Sequence, residues 1–492
     1  MSPQSAVPAG ADGAPANAKR ILVTLIVIAA VANMPLAMAN VALPSIGAYF
    51  TASQLQLNLI AVGYSLGLAC SVLWLGALGD RYGRKQIAIL GVVLAIPAAL
   101  VSGIAPSAEI LIFGRLFGGF AAGMAYPTTL ALIAALWGPG AARTHTIALW
   151  AATGGAISVT GPLISGLLLR IPDGAVLGLP NWSLVFIIVI PLAVVALFMA
   201  LRNIPSHVNE TTETVDNLGG ILSVFLIGAF VLALNFFPFA QYRSLALGLT
   251  AVMLVAGVLF SIRQWRVENP LYDLRVAARP TFWVAAVGGI IVFGALMGAM
   301  FIGQQYVQDV LGFGTVEAAL PALFAGAFMI LAAPRSAKLV ETRGSRFTLL
   351  AGYFFILLAF LTMFFFWRAS ASFWMVVAAF ILIGLGIGLA GTPASRALTS
   401  SVPVTRVGMA SGTADLQRDL GGALFNSLFG ALLASGYAAA IAAQLANEPN
   451  AAQIPSSVSS ALEMSYAGAQ TVAQQYPQYA AQITNAARAA FL

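Results

Sequence analysis

The chain has 492 residues, 60% of them hydrophobic and 8% charged, with 48 glycines and a formal charge of +7. That composition excludes a soluble globular domain and points to the membrane. Nor does the positive balance indicate nucleic acid. Of the 23 Lys and Arg residues, all but Arg115, Arg170, Arg243, Arg368, Arg418 and Arg488 fall in loops and helix ends expected on one face of a bilayer.

Residues 1–18 are rich in Ala, Pro and Gly and lack an apolar core, so they read as a disordered cytoplasmic tail and not as a cleaved signal. Apolar runs of about 20 residues, enough to cross ~30 Å of hydrocarbon, then occur at about 20–42, 57–79, 86–104, 108–133, 146–169 and 182–201. After a polar loop come two runs at about 218–237 and 243–262, joined by a few residues around Pro238. Five more lie at about 281–302, 318–340, 347–367, 372–397 and 407–436. The single Cys70, inside the second run, leaves no material for a disulfide or a thiolate metal site. No Walker-type loop is present, so ATP is not the expected energy source.

The loop Gly76-Ala-Leu-Gly-Asp-Arg-Tyr-Gly-Arg-Lys85 holds two spans together, with Asp80 as its one acid and Arg81, Arg84 and Lys85 kept in water. Residues 333–346 repeat it. Glu341, Gly344 and Arg346 stand at one constant offset from Asp80, Gly83 and Lys85. An internal repeat at that distance implies two like-oriented halves. The expected fold is therefore an all-α polytopic membrane protein. Two pseudo-symmetric six-helix bundles occupy 19–202 and 281–441, and an inserted two-helix hairpin occupies 218–262. A cytoplasmic loop at 203–217 and a basic connector at 263–280 link them, with a polar extracytoplasmic tail at 442–492. The second bundle shows five helices only, and the sequence ends where a fourteenth spanning helix would begin.

Four features carry candidate chemistry. Arg115 sits near the start of the fourth span, where a charge costs ~2.5–3.5 kcal/mol on insertion scales. It either faces a cavity or partner or snorkels to the interface. In the fifth span Gly154, Ser158, Pro162 and Gly166 recur every four residues, leaving one face almost free of side chains, and Gly161-Pro162 adds a bend. Asp415 and Asp419 stand one helical turn apart, with Gly422 and Asn426 continuing their face and Arg418 able to pair with Asp415. Two carboxylates so close do not both ionise comfortably in a poorly hydrated site, so one is expected to hold a proton near neutral pH. Hydropathy alone would start that span at Leu420 and leave the charges in cytosolic water; alignment of Arg406 with Arg143 puts Asp415 well inside. Asn33, Asn40 and Tyr64 could line a cavity, or the asparagines could bond across helices. Gln304, Gln305, Tyr306 and Asp309 form either an exit lining or a solvated loop.

The G-x-x-x-D-R-x-G-R-K loop resembles that between the second and third helices of major facilitator superfamily transporters. Arg115-Leu-Phe-Gly-Gly resembles the superfamily's fourth-helix R-x-x-x-G, whose arginine is proposed there to assist proton transfer. Gly161-Pro-Leu-Ile-Ser-Gly166 is similar to its exporter motif G-P-x-x-G-G, with Ser165 in place of a glycine. Asn40-Val-Ala-Leu-Pro44 resembles the first helix of the fourteen-helix drug:proton antiporters, although Pro35 stands where that family carries an acid. The resemblance implies a secondary transporter, not an enzyme, without cofactor or metal. The conformational gate would involve Gly76, Asp80, Arg81, Gly83, Arg84, Glu341 and Arg346. Proton coupling and substrate binding would fall to Asp415, Asp419, Arg418 and Arg115, with Asn33, Asn40, Tyr64 and Asn426 lining the cavity. The implied activity is proton-coupled efflux of amphipathic, cationic or lipophilic compounds by a monomer in the plasma (inner) membrane, N-terminus cytoplasmic. A lipid or neutral-metabolite exporter and a transport-inactive sensor or scaffold are the alternatives.

Overall fold

A computed structural model of the chain describes residues 14–15, 17–138, 146, 149–150, 160–205, 214–400, 407–447 and 454–492. Twelve helices among the described residues are long and apolar enough to cross a membrane. The first four are α1 (Ala18–Phe50), α2 (Gln54–Tyr82), α3 (Arg84–Gly103) and α4 (Ala108–Leu136). The fifth expected span lies partly outside the described residues; its visible part is α5 (160–168). Then come α6 (Asn181–Asn203), α7 (Asn217–Phe236), α8 (Arg243–Arg266) and α9 (Pro280–Gln305), which continues through a π turn at Tyr306–Val310. The stretch Thr315–Phe366 is two helices, α10 and α11, meeting at Gly344; α12 is Phe373–Ser400 and α13 is Val407–Ala446.

Local chemistry sets the turns. Thr51 ends α1 in the left-handed region, and Ser53 with Gln56 forms a capping box that starts α2 only three residues later. Gly83 (φ 107°) separates α2 from α3, and Gly344 (φ 85°) separates α10 from α11. Both loops thus turn on a glycine whose positive φ other residues avoid. These are corresponding positions of the repeat read in the sequence.

The basic residues of the first loop act on helix ends. Arg84 Nη1 donates to the Ala131 carbonyl of α4 at 2.9 Å, and Lys85 Nζ donates to Leu201 and Ile204 carbonyls at the end of α6, at 3.1 and 2.5 Å. At the end of α6 the cation satisfies otherwise orphaned carbonyls, and both cations oppose the negative end of a helix dipole. Glu341 and Arg346 of the second loop are exposed. Gly76 stands farther from α4 than Gly79 does. A Cβ added there would make ordinary contact with Pro127 at 3.8 Å, whereas one at Gly79 would press on Thr128 at 3.1 Å.

α1–α4 and α6 pack around one core that includes Ile28, Leu68, Val92 and Ala193, while α9, α11 and α12 share another around Val292, Ile356 and Ile383. The two halves meet where α2 lies along α13 and α1 touches α9. They are tied at the end where α1 finishes: Gln308 Nε2 donates to the Val41 carbonyl at 3.1 Å, Thr315 Oγ1 to the Gly166 carbonyl at 2.9 Å, and Arg170 pairs with Glu317 at 3.1 Å. At that end Gln304, Gln305 and Tyr306 are buried, not a solvated loop, and Tyr306 stacks on Trp367 with centroids 4.6 Å apart.

The tail is more than a polar strand. Residues α14 (Ser456–Met464), α15 (Tyr466–Gln475) and α16 (Ala480–Phe491) fold back over the tied end. Each is too short to span, yet each carries an apolar stripe. Tyr466, Ala469 and Val472 pack on Tyr437 and Ile441 of α13, and Ser465 Oγ donates to the Ala52 carbonyl of the first half at 3.0 Å.

The hairpin α7–α8 touches both halves. Trp74 Nε1 of α2 donates to Asn217 Oδ1 at 3.0 Å, and Asn235 Nδ2 donates to Ser427 Oγ of α13 at 2.7 Å in a fully buried contact. Interhelical hydrogen bonds in membranes contribute about 0.6 kcal/mol on average and up to about 1.7. Asn235→Val and Ser427→Ala should therefore each lower the unfolding free energy in detergent by an amount of that order. The double variant should cost no more than the larger single one, as expected for one shared bond.

Candidate functional site

The site is built on α13. This helix begins at Val407, so Asp415 and Asp419 lie within it and within the span Thr413–Ala446, not in a preceding loop. The Asp419 side chain has no exposed surface, while Asp415 retains 15% and Arg418 28%. Arg418 Nη2 is 3.3 Å from Asp415 Oδ1, and its Nε is 3.7 Å from Asp419 Oδ1. The same guanidinium reaches across to the first half. Its Nη1 donates to the Tyr126 hydroxyl of α4 at 2.9 Å, and its Cζ stands 4.7 Å from the centre of that ring. Tyr126 in turn leans on Trp150 at 5.5 Å.

Beside this cluster lies a cavity of about 270 Å³ between the halves. Its polar walls are Asn33, Ser65, Tyr126, Trp150, Arg418 and Asp419. Phe293, Met297, Met300 and Met329 supply much of the rest. Flexible, polarisable methionines suit cargo of varied shape, and aromatic faces suit cations.

Not every expected residue reaches the cavity. Asn40 and Asn426 are buried but do not line it. Each stands seven residues beyond a lining residue, Asn33 or Asp419, on the same helical face, and that step leads toward the tied end, where the cavity has already closed. Tyr64 is also absent from it. Its hydroxyl donates to the Ala32 carbonyl at 2.7 Å, and its ring lies 4.8 Å under Arg115.

Arg115 does not snorkel. It is 1% exposed, its Nε donates to the Ile60 carbonyl at 3.1 Å and its Nη1 to that of Pro35 at 2.9 Å, with Phe186 as a second ring face. It borders a separate hollow of about 30 Å³ in the first half. The fold therefore does not bring Arg115 together with the acid pair.

Gly154 and Ser158 lie outside the described residues. Gly161 packs on α1, where a Cβ would stand 3.3 Å from the Met34 carbonyl and from Met38, and Pro162 beside it is buried. Gly166 packs across the boundary, where a Cβ would sit 2.7 Å from the Thr315 carbonyl. Of the described residues, Gly161 thus faces the first helix and Gly166 the other half. Among the described residues no group of His, Cys, Asp and Glu could hold a metal.

A family model described as Major Facilitator Superfamily matches residues 25–426. The chain belongs to that superfamily. This transporter is 29% identical over 389 residues to the multidrug resistance protein Stp of Mycobacterium tuberculosis, covering 78% of this chain and 70% of that one. It is 27% identical over 401 residues to the multidrug efflux pump LfrA of Mycolicibacterium smegmatis, covering 82% and 77%. Among solved structures it resembles a bacterial homologue of the human lysosomal transporter Spinster, with a TM-score of 0.66 and 17% identity, over 96% of this chain and 92% of that one. That last likeness speaks for the fold. The transporter is an integral, multi-pass membrane protein that moves small molecules.

Tyr126, Trp150 and the cavity methionines were not singled out from the sequence. Their signal was weak: aromatic and thioether side chains in spans are ordinary, and Tyr126 gains meaning only from a contact with a residue in the other half.

The close approach at Gly166 makes a direct test of the tied end. Gly166→Leu should force α5 away from α10. A cysteine placed at Gln305 in a Cys70→Ala background should then react faster with a membrane-impermeant maleimide added to that face. Unchanged labelling would mean that the contact does not hold the end shut.

Proposed function

We propose that this transporter expels amphipathic, cationic or lipophilic compounds in exchange for protons, working as a monomer in the plasma (inner) membrane with its N-terminus in the cytoplasm. The observation that carries the reading is Asp419. It is a fully buried carboxylate on the wall of a largely apolar cavity, and among the described residues its ion-pair partner is the Arg418 guanidinium. A buried ionisable group at bilayer depth is expensive, and on that ground it is a functional site by default. An acid that can be neutral or charged, facing aromatic and methionine side chains, can exchange a proton for an organic cation. The relatives Stp and LfrA carry multidrug resistance and efflux in their names, which supports the direction and the cargo class.

Movement would follow alternating access: the bundles at 19–202 and 281–441 rock about the cavity. The loop glycines Gly83 and Gly344 would permit the turns, and Arg84 and Lys85 would hold helix ends on the cytoplasmic face. With the halves tied and capped at the opposite end, the cavity in this conformation would be reached from the cytoplasm. Arg115, fixed by carbonyls of α1 and α2, would hold the first half rigid.

A second reading, export of a lipid or neutral metabolite, is favoured by one observation. Neither of the first two helices places an acid at the cavity; Asn33 and Ser65 are the polar groups there.

In proteoliposomes a proton gradient should drive export of a lipophilic monocation. Asp415→Asn and Asp419→Asn should each reduce gradient-driven export to background while leaving the amount of folded protein unchanged. Full activity in both variants would remove the acid pair from the mechanism.

A further inference from the structure

We propose that Arg418 sets the electrical charge of the cargo: by cancelling one of the two carboxylates it limits the cavity to one positive charge for each proton released, and so excludes dications. This rests on the efflux reading above and deepens it.

The argument is a charge count over the groups that face the cavity. α13 supplies Asp419 on the wall, Arg418 beside it, and Asp415 paired to Arg418. From the packed elements, α4 contributes Tyr126, α1 contributes Asn33 and α2 contributes Ser65, all uncharged as ordinary side chains. α9, α10 and α12 contribute Phe293, Met297, Met300, Ala325, Met329 and Gly384 among others, again uncharged. Among the described residues the titratable neighbours are thus the two acids and Arg418, with Tyr126. Arg115 lies apart in its own hollow.

With both acids ionised the cluster carries one net negative charge. With one of them protonated it carries none. Low dielectric surroundings make an uncancelled charge costly, so the deprotonated cavity favours a monocation and the protonated one favours a neutral compound or none. A dication would leave one positive charge unbalanced in the deprotonated state and two in the protonated one.

Arg418 also shows where a cation sits. Its guanidinium lies against the Tyr126 ring and between two carboxylates, which is the environment an aromatic organic cation would need. The guest therefore competes with, or settles beside, a fixed internal cation. That steric and electrical presence is a repulsive element, the kind by which a site rejects unwanted ligands.

The test compares ethidium with propidium, which share a phenanthridinium ring and differ by one unit of charge, in proteoliposomes under a proton gradient. The original chain should move ethidium, and propidium about tenfold more slowly or less. Arg418→Lys keeps the charge and should keep that ratio. Arg418→Gln removes it and should bring the two rates within about threefold. Asn33→Asp adds a carboxylate at the wall without touching Arg418. It should narrow the ratio in the same way, and it decides the matter if Arg418→Gln does not reach the membrane. Gradient-driven ethidium export with an unchanged ratio in Asn33→Asp and in any Arg418→Gln that assembles overturns the charge limit alone, as does equal transport of both dyes by the original chain. No gradient-driven movement of either dye overturns the efflux reading and the charge limit together.

Discussion

Burying charge in a hydrocarbon layer is the constraint from which this structure is organised. Asp419 has no exposed side-chain surface, and a single acid at such depth costs about 2.5–3.5 kcal/mol on insertion scales. The fold answers with one guanidinium that serves three partners. Arg418 lies against Asp415 and Asp419 on its own helix, cancelling one of their two charges, and spends its remaining reach on the hydroxyl and ring of Tyr126 in the other half. The same contact that makes the acids tolerable therefore joins α13 to α4. Arg115 meets the same constraint differently. With no carboxylate paired to it among the described residues, it is held by two backbone carbonyls and two ring faces, and the small residues around it let α1, α2 and α4 come close enough to supply them.

Close approach without side chains is the second theme. α2 and α4 are nearly in backbone contact at Gly67 and Gly119, where any added Cβ would overlap a carbonyl of the facing helix. Such seams gain dispersion and weak polar contacts in place of a hydrophobic force that lipid cannot provide. At Gly166 the seam crosses from one half to the other, and the bond from Thr315 and the pair Arg170–Glu317 lie alongside it. The exposed ion pair contributes little by itself. The buried approach at the glycine and the helices of the tail, which touch α1 and α13 together, hold that end.

Much of this was legible in the chain because membrane sequences write topology in coarse strokes. Runs of apolar residues gave the spans, and the two glycine loops at Gly83 and Gly344 were recognisable from their charges alone. The i, i+4 spacing of Asp415 and Asp419 put them on one face, and the repeat argued correctly against the hydropathy boundary at Leu420. What stayed hidden depended on distance along the axis and on partners far away in sequence. Periodicity puts Asn33 and Asn40 on one face, but it cannot say that the cavity closes between them. Tyr126 and Arg418 are in different halves, so no local pattern links them. The tail read as polar because alanine-rich helices have low hydropathy, yet small side chains at the right spacing suffice to bury Tyr466 and Val472 against α13.

The inserted hairpin is the element whose role changes most once its contacts are known. A peripheral pair would need only apolar packing, but α7 is bonded to α2 through Asn217 near one end and to α13 through Asn235 near the other. Eighteen helical residues separate those two positions, roughly 27 Å at 1.5 Å per residue, so the bonds sit at opposite ends of a rigid rod. Asp216 anchors the first end further, accepting from Arg263 Nε at 2.9 Å and Gln264 Nε2 at 2.8 Å where α8 returns. Between those bonds α7 packs along α2, where Val62, Leu66 and Cys70 cluster with Ile227 and Val231, and Ala423 of α13 joins the same cluster. The hairpin therefore bridges the halves by packing and hydrogen bonding together, and its contact with the second half is made to α13, the helix that carries both acids and Arg418.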